Sequence, residues 1–134
     1  MNMSILLIDD NPKNNSGYID ELKKYYDVTV AMRLMSAERL MKSHHYDIII
    51  IDVMMSTQYL KSNSELTAGF DFYSERLKPL LDNQNKKPLI VFWSRFYSDI
   101  FDMYFGEHKP DNVFFLHKDD NVNHLLNGLD LLLR

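Results

Sequence analysis

Apolar residues along this chain follow two alternating rhythms. Short, nearly continuous apolar runs are separated by longer stretches in which apolar residues recur every three or four positions. The runs are MSILLID (3–9), DVTVAM (27–32), YDIIIID (46–52), PLIVFWS (88–94) and NVFFLHK (112–118). Each is short and rich in β-branched or aromatic residues, and each predicts a strand. The second run alternates. The third, with Ile48, Ile49, Ile50 and Ile51 in succession, leaves no position for a wet face. Such a strand is expected in a parallel sheet covered on both sides.

The intervening stretches predict helices. Asn11-Pro12 marks a helix start, with Asn or Asp capping and proline in the first turn. Tyr18, Ile19, Leu22, Tyr25 and Tyr26 follow at helical spacing. Leu34 to Ser43 predicts a helix with Ala37, Leu40 and Met41 turned inward. A third helix is expected from Phe70 toward Leu81, disturbed at its end by Pro79, and a fourth from Ser98 to Phe105. The last runs from Val122 to Arg134, with Val122, Leu125, Leu126, Leu129, Leu132 and Leu133 as its apolar stripe.

Strand and helix thus alternate five times. The pattern predicts an α/β domain, a doubly wound parallel sheet with helices on both faces. Ligands of such sheets gather beyond the carboxyl ends of the strands. The residues expected there are Asp9 and Asp10 after the first strand, Asp52 after the third, Ser94 after the fourth and Lys118 after the fifth. Each alone has an ordinary structural explanation. Asp9 and Asp10 could cap the helix that follows, Asp52 could merely end a strand, Ser94 could sit in a turn and Lys118 in solvent. Their joint placement, one or two βα units apart, points instead to a shared site.

Composition narrows the classes. The chain has 134 residues, 46% hydrophobic and 25% charged, which suits one domain with a proper core. A net charge of −4 offers no basic footprint for direct nucleic-acid binding. With no cysteine, disulfides, thiol catalysis and cysteine-bound metals are excluded. No apolar run approaches the ~18 residues of a membrane span. MNMSILLIDD turns acidic too soon for a signal peptide, so a cytoplasmic location away from the membrane is expected.

Taken together, ILLIDDNP (5–12), YDIIIIDVMM (46–55), GFDFY (69–73), PLIVFWS (88–94) and FFLHK (114–118) resemble the receiver domains of two-component response regulators over nearly the whole chain. The resemblance implies a flavodoxin-like fold with strand order 2-1-3-4-5. It implies that Asp52 is the phosphoacceptor, and that Mg²⁺ is held by Asp9, Asp10, Asp52 and the backbone carbonyl of Met54. It also implies that Lys118 pairs with the phosphoryl oxygens, and that Ser94 and the aromatic Phe115 switch together. The residue types suit that chemistry. A carboxylate can attack phosphorus, crowded oxygens call for a hard cation, and an ammonium offsets the transferred charge. The family positions that govern hydrolysis of the acyl phosphate match Met54 and Phe96, both large and apolar, so slow self-dephosphorylation is expected.

This sequence departs from the family pattern in three places. Ser56 stands where proline is usual and the matching glycine is Gly69, so the connection at about 56–68 is much longer than the roughly 2–6 residues of ordinary βα loops. A mobile loop over the rim is expected there, with a short helical turn around Glu65. Asp119 replaces the proline after Lys118, which predicts a trans peptide. Arg95 replaces a small residue after Ser94, where it either contacts the phosphoryl group, obstructs its approach or swings into solvent.

The expected partners are a sensor histidine kinase or phosphotransfer protein and a downstream protein target. The sequence carries no output domain, so the chain either works by touching other proteins or is the first piece of a longer regulator. Phe96, Tyr97, Ile100, Phe101, Met103, Tyr104 and Phe105 exceed what one helix face can bury. A partner or homodimer surface over the fourth helix, fifth strand and fifth helix would use the excess. Two readings from other classes remain: a pseudo-receiver that binds partners without phosphorylation, and a small Mg²⁺-dependent phosphatase.

Overall fold

The computed structural model describes residues 2–54, 60, 67–95 and 99–134. Five strands, β1 (Ser4–Ile8), β2 (Asp27–Ala31), β3 (Ile48–Asp52), β4 (Leu89–Ser94) and β5 (Val113–His117), form one sheet in the order β2-β1-β3-β4-β5. Every pairing is parallel. The helices are α1 (Ser16–Lys23, entered through the 3₁₀ turn Pro12–Asn15), α2 (Leu34–Ser43), α3 (68–84), α4 (Asp99–Phe105) and α5 (Asn123–Leu132). The sheet order and the flavodoxin-like winding are those the sequence predicts. No helix among the described residues is long and apolar enough to cross a membrane.

The side-chain period of two divides each central strand between two cores. Ile5, Leu7, Ile48, Ile50, Val91 and Trp93 pack with Tyr18, Ile19 and Leu22 of α1 and Leu125 and Leu129 of α5. Leu6, Ile8, Ile49, Ile51, Ile90 and Phe92 pack on the opposite face with α2, α3 and α4. All four isoleucines of β3 are buried, two on each side. The strand is therefore apolar throughout because both of its faces are covered. It also places Asp52 at the sheet's carboxyl edge.

Some details differ from the sequence-based expectations. Tyr25 lies just past the end of α1 and is exposed, and Leu133 is likewise exposed beyond α5. The third helix is longer at both ends than Phe70–Leu81, and Pro79 does not end it. Its segments are α-helical Ala68–Phe72, π-helical Tyr73–Leu77 and α-helical Lys78–Gln84. Proline lacks an N–H and its ring crowds the carbonyl four residues back. A widened turn just before Pro79, in which the Lys78 N–H bonds the Tyr73 carbonyl, lets the helix continue. The enlarged loop at about 56–68 lies mostly outside the described residues, as does the turn expected around Glu65. Its final residue, Ala68, already belongs to α3.

The aromatic surplus of α4 goes largely into the core. Phe101, 5% exposed, packs against Phe92, Phe105 and Phe115, and this removes it from any docking surface. Phe105 is half-buried against the same cluster. Met103, at 84%, is the most outward of them, and Tyr104 is also exposed. Phe96 and Tyr97 lie outside the described residues.

Candidate functional site

Asp9, Asp10 and Asp52 converge at the carboxyl edge of β1 and β3. One carboxylate oxygen from each lies within 4.8 Å of the others. Asp9 is fully buried. Its Oδ1 accepts the Asn11 N–H at 3.0 Å, and its Oδ2 accepts the Asn15 side-chain amide at 2.6 Å. The helix start at Asn11-Pro12 is therefore tied down by Asp9, while the Asn11 side chain itself makes no cap hydrogen bond. Asp10 is exposed at the mouth of the cluster.

Asp52 is held from two sides. Its Oδ2 accepts a hydrogen bond from Lys118 Nζ at 3.2 Å, with the two side chains only 13% and 8% exposed respectively. Its Oδ1 accepts the Met54 N–H at 3.2 Å. Burial raises the Asp52 pKa to about 6. The Asp9 charge adds to the rise, while Lys118 and the Met54 N–H oppose it. Lys118 reaches the site from the end of β5, its backbone N–H bonded to the Ser94 carbonyl at 2.6 Å and its Nζ 4.2 Å from the Trp93 ring centroid. The Lys118–Asp119 peptide is trans.

Three carboxylates against one ammonium leave the cluster short of positive charge. A hard divalent cation with oxygen ligands fits such a donor set, and Mg²⁺ is of that kind. Gly69 shows why the chain leaving β3 needs a glycine beside it. A Cβ there would meet the Asp52 carbonyl oxygen at 2.7 Å and Val53 Cα at 2.8 Å. The Gly69 N–H donates to the Val53 carbonyl at 2.8 Å, fixing the start of α3 against the site.

Ser94 is buried at the end of β4, next to His117 of β5 in register. Phe115 lies in the core on the α2, α3 and α4 face of the sheet, its ring 5.7 Å from Phe101 and not in the carboxylate cluster. The Arg95 side chain turns outward. It pairs with Asp120 at 3.2 Å and lies beside the Tyr18 hydroxyl, while its carbonyl takes a 2.9 Å hydrogen bond from His117 Nε2. Asp119 bonds His124 and the Asn121 N–H. Met54 is partly exposed at the rim. Phe96 lies outside the described residues.

The sequence reading missed Asn15 and Trp93. Asn15 could have been found, because Asn15, Tyr18, Ile19 and Leu22 share one helical face and a polar residue on an inward face needs a partner. For Trp93 the strand pattern signals burial but not its place under an ammonium.

This sheet order and winding are the fold of response-regulator receiver domains. The receiver domain of the Francisella response regulator 1452 is 23% identical and superposes with a TM-score of 0.69 over 98% of this chain and 96% of that one. The chemotaxis response regulator CheY4 of Vibrio cholerae is 19% identical, with a TM-score of 0.72 over 98% of this chain and 99% of that one. A two-component response regulator from Clostridium difficile is 19% identical, with a TM-score of 0.66 over 98% and 96% of the two chains. At these identities the likeness is one of fold. No protein-family model matches the sequence, and no curated protein matches it.

Proposed function

We propose that this chain is a receiver domain over 1–134 that accepts a phosphoryl group on Asp52 and thereby changes a surface it presents to other proteins. The observation that carries this reading is the 3.2 Å Lys118–Asp52 contact within a cluster of three carboxylates. An Asp52 oxygen attacks phosphorus to form an acyl phosphate. The bond from phosphorus to the donor breaks, and its electron pair leaves with the donor, a histidine ring or a small acyl phosphate. Lys118, already beside the nucleophile, pairs with the phosphoryl oxygens. Mg²⁺, held by Asp9, Asp10, Asp52 and the Met54 carbonyl, would neutralise charge on those oxygens.

Asn15 and the Asn11 N–H keep Asp9 aimed into the site. The Ser94 hydroxyl and Phe115 follow the new charge, and they link the site to α4, β5 and α5, where a target or second copy would bind. A sensor histidine kinase or phosphotransfer protein supplies the phosphoryl group, and the cytoplasm is where such a donor resides.

Intact mass measurement after incubation with Mg²⁺ and acetyl phosphate tests the reading. Wild type gains one phosphoryl group and Asp52→Asn gains none. A folded, unmodified wild type would favour the pseudo-receiver. Continuous turnover of the phosphodonor at an undiminished rate, with no protein-bound phosphate accumulating, would favour the phosphatase.

A further inference from the structure

A second concavity lies at the end of the sheet away from the carboxylate cluster. It is a groove of 420 Å³ where the last turns of α3 meet the connections into β4 and β5. That size falls within the range of small-molecule sites. Tyr73, Leu81, Asn85, Lys86, Pro110 and Asn112 line it. Two ion pairs also border it, Lys78–Asp82 at 2.8 Å and Lys87–Asp111 at 2.5 Å.

Tyr73 is the unusual member. Its ring packs against Phe92 and Phe105 at centroid distances of 5.7 and 5.8 Å, and the residue is only 5% exposed. Buried tyrosine hydroxyls usually find a hydrogen-bond partner. Among the described residues the Tyr73 hydroxyl has none, and it still reaches solvent: Gln84 Oε1 is the only fully buried side-chain polar atom without a partner among them. Tyr73 and Asp82 line the same groove; burial raises the Tyr73 pKa and the Asp82 carboxylate adds to the rise. Tyr73 also opens the π-helical segment of α3, and such segments recur at functional sites.

The charges around the groove are uneven. Asp82 and Asp111 are well exposed, and each already has its lysine. Asn85 turns the chain with φ of 56°, and Lys86 follows it. Lys86 makes no ion pair among the described residues. One ammonium and one hydroxyl at the edge of a buried ring are thus both free to donate, beside the apolar surface of Leu81 and Pro110.

We propose that this groove binds a small organic anion, a carboxylate or phosphate ester on an apolar body. Its oxygens accept hydrogen bonds from the Lys86 ammonium and the Tyr73 hydroxyl, and its body lies on Leu81 and Pro110. The site is independent of the phosphoacceptor cluster.

Heteronuclear NMR of the full chain in Mg²⁺-free buffer tests it, with phenyl phosphate, benzoate and inorganic phosphate as probes. Phenyl phosphate or benzoate should saturably shift the amides of Tyr73, Leu81, Lys86 and Asn112. The tighter of the two identifies the anionic group. Inorganic phosphate should bind about tenfold more weakly or worse, because it has no apolar body to bury. Lys86→Ala and Tyr73→Phe should each weaken binding about three- to tenfold, the cost of one lost hydrogen bond. Tyr73→Phe keeps the ring packing, so its fold is not at issue. Asp82→Asn should strengthen binding by removing a like charge. No saturable shift in the groove with either organic probe would overturn the proposal. So would affinity unchanged in both Lys86→Ala and Tyr73→Phe, or inorganic phosphate binding as well as the organic probes.

Discussion

The two halves of the rim at the carboxyl ends of the strands are built on opposite electrostatic plans. On the β1–β3 side, Asp9, Asp10 and Asp52 crowd around a single ammonium, and negative charge is left over. On the β4–β5 side, charged residues are paired with their neighbours: Arg95 with Asp120, and Asp119 with His124. Two of the three departures from the receiver pattern, Arg95 and Asp119, lie in the paired half. The half that would take a cation and a phosphoryl group is incomplete without them. The half beside it is satisfied by its own loops, so its changed residues do not intrude on Asp52.

The largest effect should come from the one cation of the incomplete half. Lys118→Ala removes the charge that meets the transferred oxygens, and phosphorylation by acetyl phosphate should slow by about 10²–10³-fold. Intact mass followed over time reads this directly. A wild-type rate would mean that Lys118 serves only to pair with Asp52 in the resting protein.

Metal binding should show the same incompleteness through pH. The folded-state pKa of Asp52, about 6, lies above the ordinary aspartate value of 3.8. Without metal, this carboxyl therefore favours the fold most at low pH, and that contribution is lost as pH rises toward and through about 6. Mg²⁺ needs the ionised form and so acts in the opposite sense. At pH 7.5, Mg²⁺ should raise Tm by a few degrees, and the gain should fade as pH falls below about 6. A shift of equal size at pH 5 and 7.5 would remove Asp52 from the ligands. At pH 7.5, Asp10→Asn should weaken Mg²⁺ binding more than Asp9→Asn, because Asp10 is exposed at the mouth of the cluster while both Asp9 oxygens already accept hydrogen bonds. Equal and negligible losses in a titration would dismiss the metal assignment.

Asn15→Ala comes next. It leaves the buried Asp9 Oδ2 without its amide partner and should destabilise the fold by about 1–3 kcal/mol, measured by urea unfolding. A loss under about 0.5 kcal/mol would show that water replaces the amide freely.

The smallest stability change is expected from Asp120→Ala. The Arg95–Asp120 pair is exposed, and breaking it should cost at most about 0.5–1 kcal/mol. Its interest is kinetic, since it frees Arg95 beside the site. If outward pairing is what keeps Arg95 from Asp52, Asp120→Ala should change the rate of phosphoryl loss while stability barely moves. Met54→Asn should speed that loss by giving water a hydrogen-bonding neighbour, and Phe96→Glu is the companion variant. Unchanged loss in all three would show that the rim does not govern lifetime.

Local pattern was enough for much of this molecule. Four consecutive isoleucines required a strand covered on both faces, and α2 spans Leu34–Ser43 as its apolar spacing indicates. Strand ends were legible because a charged side chain does not continue an apolar run, and this located Asp9, Asp52 and Lys118. The sequence also marked Gly69, although the reason for it, backbone contact with Asp52, appears only in three dimensions. Pairings across the chain were not legible, because they depend on how separate loops meet. Asn15 beneath Asp9, Trp93 beneath Lys118 and the outward turn of Arg95 toward Asp120 are all of this kind. The burial of Phe101 is another, since composition counts aromatics on α4 but cannot say how deep a core lies beneath them. Pro79 teaches the same lesson about the backbone. Its local rule ends a helix, yet α3 runs on because packing on both sides of Pro79 outweighs one missing hydrogen bond, and the π turn absorbs the misfit.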